Sequence, residues 1–583
     1  MNGRSGFFKF FLFLFLSVII FLQFLSMLQA NRLYKRLNVL VNRLESGTGT
    51  GAIQTKQEQK TPEGENLPMP EVHGDEGDWL VWQLPAEPRT LNPLVDEGDT
   101  YTRYITIGSI FERLLEYDPD EVKLKPWLAR SYEISKDGLE MTVRLRDDVC
   151  FSDGVPMTAD DIIFTYQTIM NPGVDAAVQR TFYNTFEDVA KVDQRTVKFI
   201  FKEVLWKTFE VVGLFEVLPK HVYEFDDPAE FNKHRSNPVG SGPFKFEKWD
   251  VGQQVLLQRN ENYWGHKPKL GKVVFRFISN ETAALQALRA GEIDYMEPLP
   301  EQYSEMKSDK EFMAKFRALS YWQPGVPFFY VAWNQAAPFF GDKRVRLAMT
   351  HIINRGAIVE HLLNGEAKIT TGPFYIFGRQ YDPNVEPWPY DPEKAKQLLD
   401  EAGWIDHDGD GVRDKNGVRF SFRLAFATGR AFYEQFAKLF KDTAGNIGVD
   451  VIADPYEWSI FVEKYHKRDF EALVIGSGGT VEFDPYQYFH SSQITGGGQN
   501  CTGYNNPQTD ALIDVARRTL EPEKRYELYH RFHRLIHEDQ PFTFLYIRPE
   551  WCFLDKRFEN VIEHKLGLNP HEWYVPKNKQ RYK

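Results

Sequence analysis

The sequence predicts a mixed α/β chain of at least two lobes, carried behind an N-terminal membrane-spanning helix. Three observations predict it. The 583 residues exceed what one hydrophobic core organises. From Asp78 onward, short runs of strand period alternate with runs of helix period, with no fixed repeat length. Before them, an almost unbroken apolar run from Phe10 to Leu28 makes a helix of about 28 Å, the thickness of a bilayer core.

Arg4 and Lys9 precede the apolar run, as an export segment requires. Leu28-Gln29-Ala30 is a poor cleavage site, so residues 1–31 are read as an uncleaved signal anchor that holds the chain at the outer face of the membrane. Arg32, Lys35, Arg36 and Arg43 follow the span and compete with Arg4 and Lys9, so charge counting leaves orientation open. In the stalk, 32–45, Leu33, Leu37, Leu40 and Leu44 fall at the spacing of a short coiled coil that would pair two anchored chains through 33–44. An amphipathic surface helix accounts for them equally well. Residues 46–77 are rich in Gly, Pro and Glu and carry few large apolar groups, so they form a disordered linker.

The composition narrows the function. Aromatic residues make up 15% of the chain, which suits deep cores and apolar ligand clefts, and the net charge of -12 leaves no basic face for nucleic acid. Cys150, Cys501 and Cys552 lie too far apart for a paired metal motif and read as buried small side chains.

The elements of the globular part follow in order. WLVWQLP, from Trp79, starts a strand; TVRLRDDV alternates as a strand; TADDIIFTYQTIM is a helix capped by Thr158, with Asp160 and Asp161 in its first turn. VKFIF and VVFRFI are strands, and ETAALQALRAG is a helix. Gly240-Ser241-Gly242 invites comparison with a phosphate loop. Pro243 deletes the next donor, however, and the alternating FKFEKW that follows makes this a turn entering a hairpin, with a second turn at Asp250 to Gly252.

The order GSGPFKFEKWDVGQQVLLQRNENYWG resembles the extracytoplasmic solute-binding proteins of family 5, the oligopeptide and dipeptide receptors of ABC importers. RTLNPLVDEGD (89–99), ETAALQALRAGEIDY (281–295), YDPEKAKQLLDEAGW (390–404) and the segment 502–546 agree with it in order and spacing. The resemblance implies a two-lobe periplasmic-binding-protein fold with a discontinuous first lobe, 78–322 with 548–583, and a second lobe, 323–547. Hinge strands are implied near Ser320 to Asn334 and Pro541 to Arg548. It implies a receptor without covalent chemistry that closes on a peptide or related solute and presents it to a membrane permease and its ATPase subunits. A sensor or scaffold of the same fold, without transport, is the alternative. The resemblance also implies ligand contacts at Glu87, Pro88 and Thr90, and at Trp458, for which core packing is the competing account.

One departure concerns the ligand. Counting back from Asp484-Pro485, Gly478 and Val481 stand where the family carries a Trp and the Asp that binds the ligand's α-ammonium. Glu482 is the nearest replacement, although strand alternation turns it the other way. No cofactor is implied, with one further metal question. Asp406, Asp408, Asp410 and Asp414 match positions 1, 3, 5 and 9 of a calcium loop, but Gly417 stands where the bidentate Glu belongs, which favours an acidic surface hairpin. His530, His533 and His537 share a helix face without a metal frame, and no nucleophile elbow or Walker lysine accompanies the remaining glycine clusters. A hydrolase therefore has no catalytic set to support it.

Overall fold

The computed structural model describes residues 71–234, 236–429, 431–478, 480–495 and 498–582. The apolar run, the leucine seam and the linker as far as residue 70 lie outside them. Among the described residues no helix is long and apolar enough to cross a membrane.

Three larger sheets form. The first has seven strands in the spatial order Phe316–Tyr321, Glu550–Asp555, Tyr295–Met296, Trp79–Leu84, Lys272–Phe277, Gln254–Arg259, Phe244–Asp250. The second has six, in the order Lys368–Ile369, Phe542–Ile547, Phe328–Trp333, Ala472–Ser477, Ser421–Ala427, Asp450–Tyr456. A separate antiparallel sheet of four, Ala129–Ile134, Glu140–Leu145, Thr196–Phe201 and Phe186–Lys191, belongs to the first lobe and shares its core. The first lobe thus holds two of the larger sheets, a division that the run of short strands in the sequence does not announce.

The chain passes between the first two sheets twice, at 322–327 and at 548–549. Phe316–Tyr321 pairs antiparallel with Glu550–Asp555 in one lobe, and Phe328–Trp333 pairs antiparallel with Phe542–Ile547 in the other. The result is a two-strand ribbon interrupted at the crossing. Pro324, Pro327 and Pro549 lack the N–H that a continuous ladder needs, and Gly325 takes a φ of 95°. All six residues of both Phe328–Trp333 and Phe542–Ile547 are buried, as expected of central strands covered on both faces.

The predicted helix over 159–170 is present with its cap. Asp161 Oδ2 accepts from the Thr158 amide at 2.8 Å, and Asp161 Oδ1 accepts from the Lys220 amide at 2.8 Å. The hairpin forms as strands Phe244–Asp250 and Gln254–Arg259, with a bulge after Phe246. Its entry turn explains the glycines: a Cβ on Gly240 would lie 2.0 Å from the Ile110 carbonyl oxygen, and one on Gly242 would lie 2.3 Å from that of Ser109. The amides of Gly242 and Phe244 donate to those same carbonyls at 2.9 Å each. Close backbone approach, with no phosphate involved, is what this turn requires.

Between the two glycines, Ser241 Oγ donates to the buried Glu112 at 2.7 Å. Tyr263 Oη (2.7 Å), Trp127 Nε1 (2.8 Å) and Trp264 Nε1 (2.9 Å) also donate to it, so one carboxyl ties four segments together. Burial pushes Glu112 up to about 7 against the pull of these donors.

The N- and C-terminal parts of the first lobe meet on Arg557. This buried guanidinium pairs with Asp78 and donates to Asp294 Oδ2 at 2.6 Å and to the Trp79 carbonyl at 2.9 Å. The Val81 amide also reaches Asp294 Oδ2, at 2.9 Å. The expected linker ends earlier than 77. The Lys577 amide donates to Asp75 at 2.9 Å and the Gly77 amide to the Lys269 carbonyl at 2.9 Å, because short polar residues there complete backbone hydrogen bonds of the folded lobe.

Arg557→Met is expected to lower the unfolding free energy in a urea titration by about 3–5 kcal/mol, since it leaves Asp78 and Asp294 buried with only the more exposed Arg581 nearby; a loss below about 1 kcal/mol would contradict the role given to it. For Glu112 the folded carboxyl holds its proton up to about pH 7, whereas an unfolded one releases it near 4.3, so stability falls as pH rises through that window. Wild type should therefore be ahead of Glu112→Gln by about 3 kcal/mol more at pH 5 than at pH 8. A lead independent of pH would refute this.

Candidate functional site

Residues of both lobes meet around two pockets. One, of about 340 Å3, lies by the crossing: Gln83 and Pro85 come from the end of the first strand, Phe432 and Tyr433 from the helix Ala431–Gly445, and Tyr546 and Arg548 from the ribbon. The other, of about 220 Å3, has Tyr117 and Trp206 from the first lobe and Val481 and Glu482 from the second. A larger chamber of about 580 Å3 belongs to the first lobe and includes Trp82, Tyr104, Glu112, Tyr117, Asn569 and His571. Strand alternation sends neighbouring residues to different places: Trp82 lines the chamber and Gln83 the pocket by the crossing.

Local sequence positions these walls. Asp99 caps the helix Thr100–Thr106 by accepting from the Thr102 amide at 2.9 Å, and that helix carries Arg103 and Tyr104 into the chamber. The C-terminal segment closes the opposite side, where Asn569 and His564 both bond the buried Glu572, at 3.0 and 2.9 Å. His571 lies 3.2 Å from Ser109 Oγ, and burial lowers its ring to about 4, so it is neutral. Burial and the nearby Glu297 raise the Tyr104 phenol well above its usual range, keeping its hydroxyl protonated. The chamber offers aromatic faces and neutral groups at Tyr104 and His571, together with charged side chains such as Arg103 and Lys267.

The lobes also touch directly. Trp206 Nε1 donates to Tyr529 Oη at 2.9 Å, and its ring is buried among second-lobe aromatics. Lys207 Nζ donates to the Glu482 carbonyl at 2.8 Å and pairs with Glu210 at 2.6 Å, while Arg518 meets Glu203 at 3.1 Å.

The structure distributes the expected site residues unevenly. Val481 and Glu482 lie together at the smaller interlobe pocket. Gly478 is exposed, and a Cβ there would meet open space. Trp458 is 56% exposed at the start of the helix Trp458–Lys467, so core packing does not account for it. Glu87 Oε1 accepts from Trp249 Nε1 at 2.7 Å and from the Gly252 amide at 2.9 Å, which pins the loop after the first strand to the hairpin turn. Pro88 is buried in that loop. Thr90 is fully buried, with its hydroxyl accepting from the Asn92 amide at 3.0 Å and its carbonyl accepting from Thr102 Oγ1 at 2.8 Å, so its side chain holds the loop and offers no surface to a ligand.

Glu482 does not present a free carboxylate. Arg525 holds Oε2 at 2.9 Å and the Tyr526 hydroxyl donates to Oε1 at 2.5 Å. Sequence reasoning named neither Arg525 nor Trp206, Phe432 and Arg548. The only signal for Trp206 was an aromatic residue opening a helix that has no side-chain cap.

The acidic loop assembles in part. Oxygens of Asp406, Asp408 and Asp410 come within 4.8 Å of one another, all exposed. Asp414 does not join them, because it sits in the short strand Asp414–Lys415 and turns to His407, whose amide and Nδ1 lie 3.0 Å from its oxygens. The Gly409 and Gly411 amides donate to Asp406 at 2.8 and 3.0 Å, and Arg419 pairs with Asp410. Among the described residues no other group of three side chains is arranged for a metal ion. His533 and His537 pack inside: His533 Nε2 is 3.0 Å from Thr371 Oγ1, and His537 stacks on Trp388.

Residues 123–500 match the family model of bacterial extracellular solute-binding proteins, family 5 Middle. The chain is 32% identical over 519 residues to the oligopeptide-binding protein AppA of Bacillus subtilis, covering 86% of this chain and 92% of that one. The solved structure of that protein in complex with a nonapeptide superposes with a TM-score of 0.77 at 29% identity, covering 87% of this chain and all of the other. NikZ from Campylobacter jejuni in complex with Ni(L-His) gives 0.73 at 26% identity, covering 85% and 99%. The two-lobe α/β architecture joined by a crossed ribbon, the hairpin blocks in their order and these matches lead to one conclusion: the chain belongs to family 5 of the bacterial extracellular solute-binding proteins.

Proposed function

We propose that this protein is the receptor of an ABC importer, binding oligopeptides between its lobes and presenting the closed form to a membrane permease with its ATPase subunits. The observation that carries this reading is the pair of pockets shared by both lobes, set beside a proline-interrupted ribbon that permits rotation of one lobe on the other. A ligand spanning them gains contacts in the closed state that the open state lacks, and that difference drives closure. The nonapeptide complex of the related AppA supports a peptide as the solute. Binding without covalent chemistry is part of the proposal. So are the anchor at 1–31, which keeps the receptor at the outer face of the membrane, and pairing of two copies through 33–44.

Glu482 is committed to Arg525 and Tyr526, so the proposal includes peptides held through backbone and side chains, with no carboxylate set aside for the terminal amine. The acidic loop is proposed to act as a surface hairpin, with its carboxylates turned to loop amides, Arg419 and His407.

Stripped of ligand by unfolding and refolding, the protein is expected to gain about 2.7 kcal/mol of stability at a peptide concentration of 100 times Kd, read as a rise in Tm. No shift with any di- to nonapeptide would overturn the reading. Acetylating the amine of a bound peptide should change Kd by less than about threefold, whereas loss of a charge-assisted anchor costs about tenfold or more. A large loss on acetylation would show that an amine site exists after all.

A further inference from the structure

We propose that the pocket of about 220 Å3 bordered by Tyr117, Trp206 and Val481 receives one uncharged apolar side chain of the bound peptide, about the size of phenylalanine's. The inference rests on the peptide-receptor reading and adds a specificity to it.

The walls are the first argument. Leu124, Ile134 and Phe209 join Trp206 on the side of the first lobe, and Val481 borders the pocket from the second, so an occupant meets carbon surface from both lobes. A side chain there leaves water only when the lobes are together, which links its burial to closure.

Charge is the second argument. Two carboxylates reach the rim, and both are engaged: Glu210 pairs with Lys207 at 2.6 Å, and Glu482 is held by Arg525 at 2.9 Å and by the Tyr526 hydroxyl at 2.5 Å. A cationic side chain entering the pocket would lose its hydration and find these anions already neutralised. An apolar group has no such cost.

Continuity is the third. Tyr117 lines both this pocket and the chamber of about 580 Å3 in the first lobe. A peptide held between the lobes that runs past Tyr117 therefore meets the pocket on one side of that ring and the chamber on the other.

The test uses full-length protein, purified in detergent and stripped of ligand, titrated calorimetrically with alanine-based pentapeptides that carry Phe or Lys at each position in turn. At one position Phe is expected to bind about ten- to a hundredfold tighter than Lys, the worth of burying one aromatic side chain. Val481→Asp should cut that ratio at least tenfold at the same position and leave the ratios elsewhere within about twofold, since coupling is confined to groups in contact. Ile134→Trp, which fills the pocket from the opposite wall, should weaken the Phe peptide and spare its all-alanine parent. Peptides that bind with a flat Phe-to-Lys profile, or a Val481→Asp effect shared by all positions, would overturn the pocket assignment while leaving the receptor reading standing. Failure of every peptide to bind would end both.

Discussion

The first lobe is assembled from two ends of the chain, and its integrity depends on one buried cation. Arg557 comes from beyond the second crossing, Asp78 from the start of the globular part, and Asp294 from the segment just before Tyr295. A guanidinium taken out of water is tolerated only when its donors are matched, and here two carboxylates and the Trp79 carbonyl match them. Arg581 adds a second layer, donating to Asp555 at 2.5 Å and, through its amide, to Asp78 at 3.1 Å. The seven-stranded sheet exists as one sheet because these distant segments are held in register at this point. The two crossings, and so the cleft, follow from it.

That closure also explains why the second lobe can be a continuous insertion. It leaves through 322–327 and returns through 548–549, with antiparallel pairing on either side and prolines at the gap. Pairing on both sides keeps each lobe rigid, while missing donors between them leave the joint without the ladder that would stiffen it. Rigid bodies with a soft connection are the physical requirement for a receptor that responds to ligand by closing.

Several carboxylates in and around the cleft are engaged by the protein itself. Glu87 serves the hairpin turn, Glu482 serves Arg525, Glu210 serves Lys207, and Glu112 serves four neutral donors in the wall of the chamber. What faces the space between combines aromatic and aliphatic surface with charged side chains such as Arg103, Lys267 and Arg548, while burial keeps the His571 imidazole neutral. Such a lining suits a ligand whose backbone supplies polarity of its own, and it tolerates variation in side chains except where a pocket is walled mainly by carbon.

Much of this was legible in the sequence, for identifiable reasons. Thr158 with Asp161 announced a helix start, because capping is a local bond; the alternation after Gly242 announced a hairpin, because side-chain period reports strand directly. The family blocks carried the order of the lobes and the neighbourhood of both hinges, Ser320 to Asn334 and Pro541 to Arg548, although not the prolines that interrupt the ribbon there. Val481 was expected from the sequence near the ligand, and it borders the smaller interlobe pocket. Tertiary structure alone decided the rest. That Glu482 is neutralised depends on Arg525, 43 positions away, and that Trp206 sits among second-lobe rings depends on how two lobes meet. Asp414 left the acidic cluster because a two-residue strand turned it toward His407, and Thr90 proved to be core because a helix packs over it. Local bonds and periodicities are written in adjacent residues, so sequence by itself determined the elements and their order; partnerships between distant side chains arise only when the chain closes, so the character of the cleft was settled by the fold.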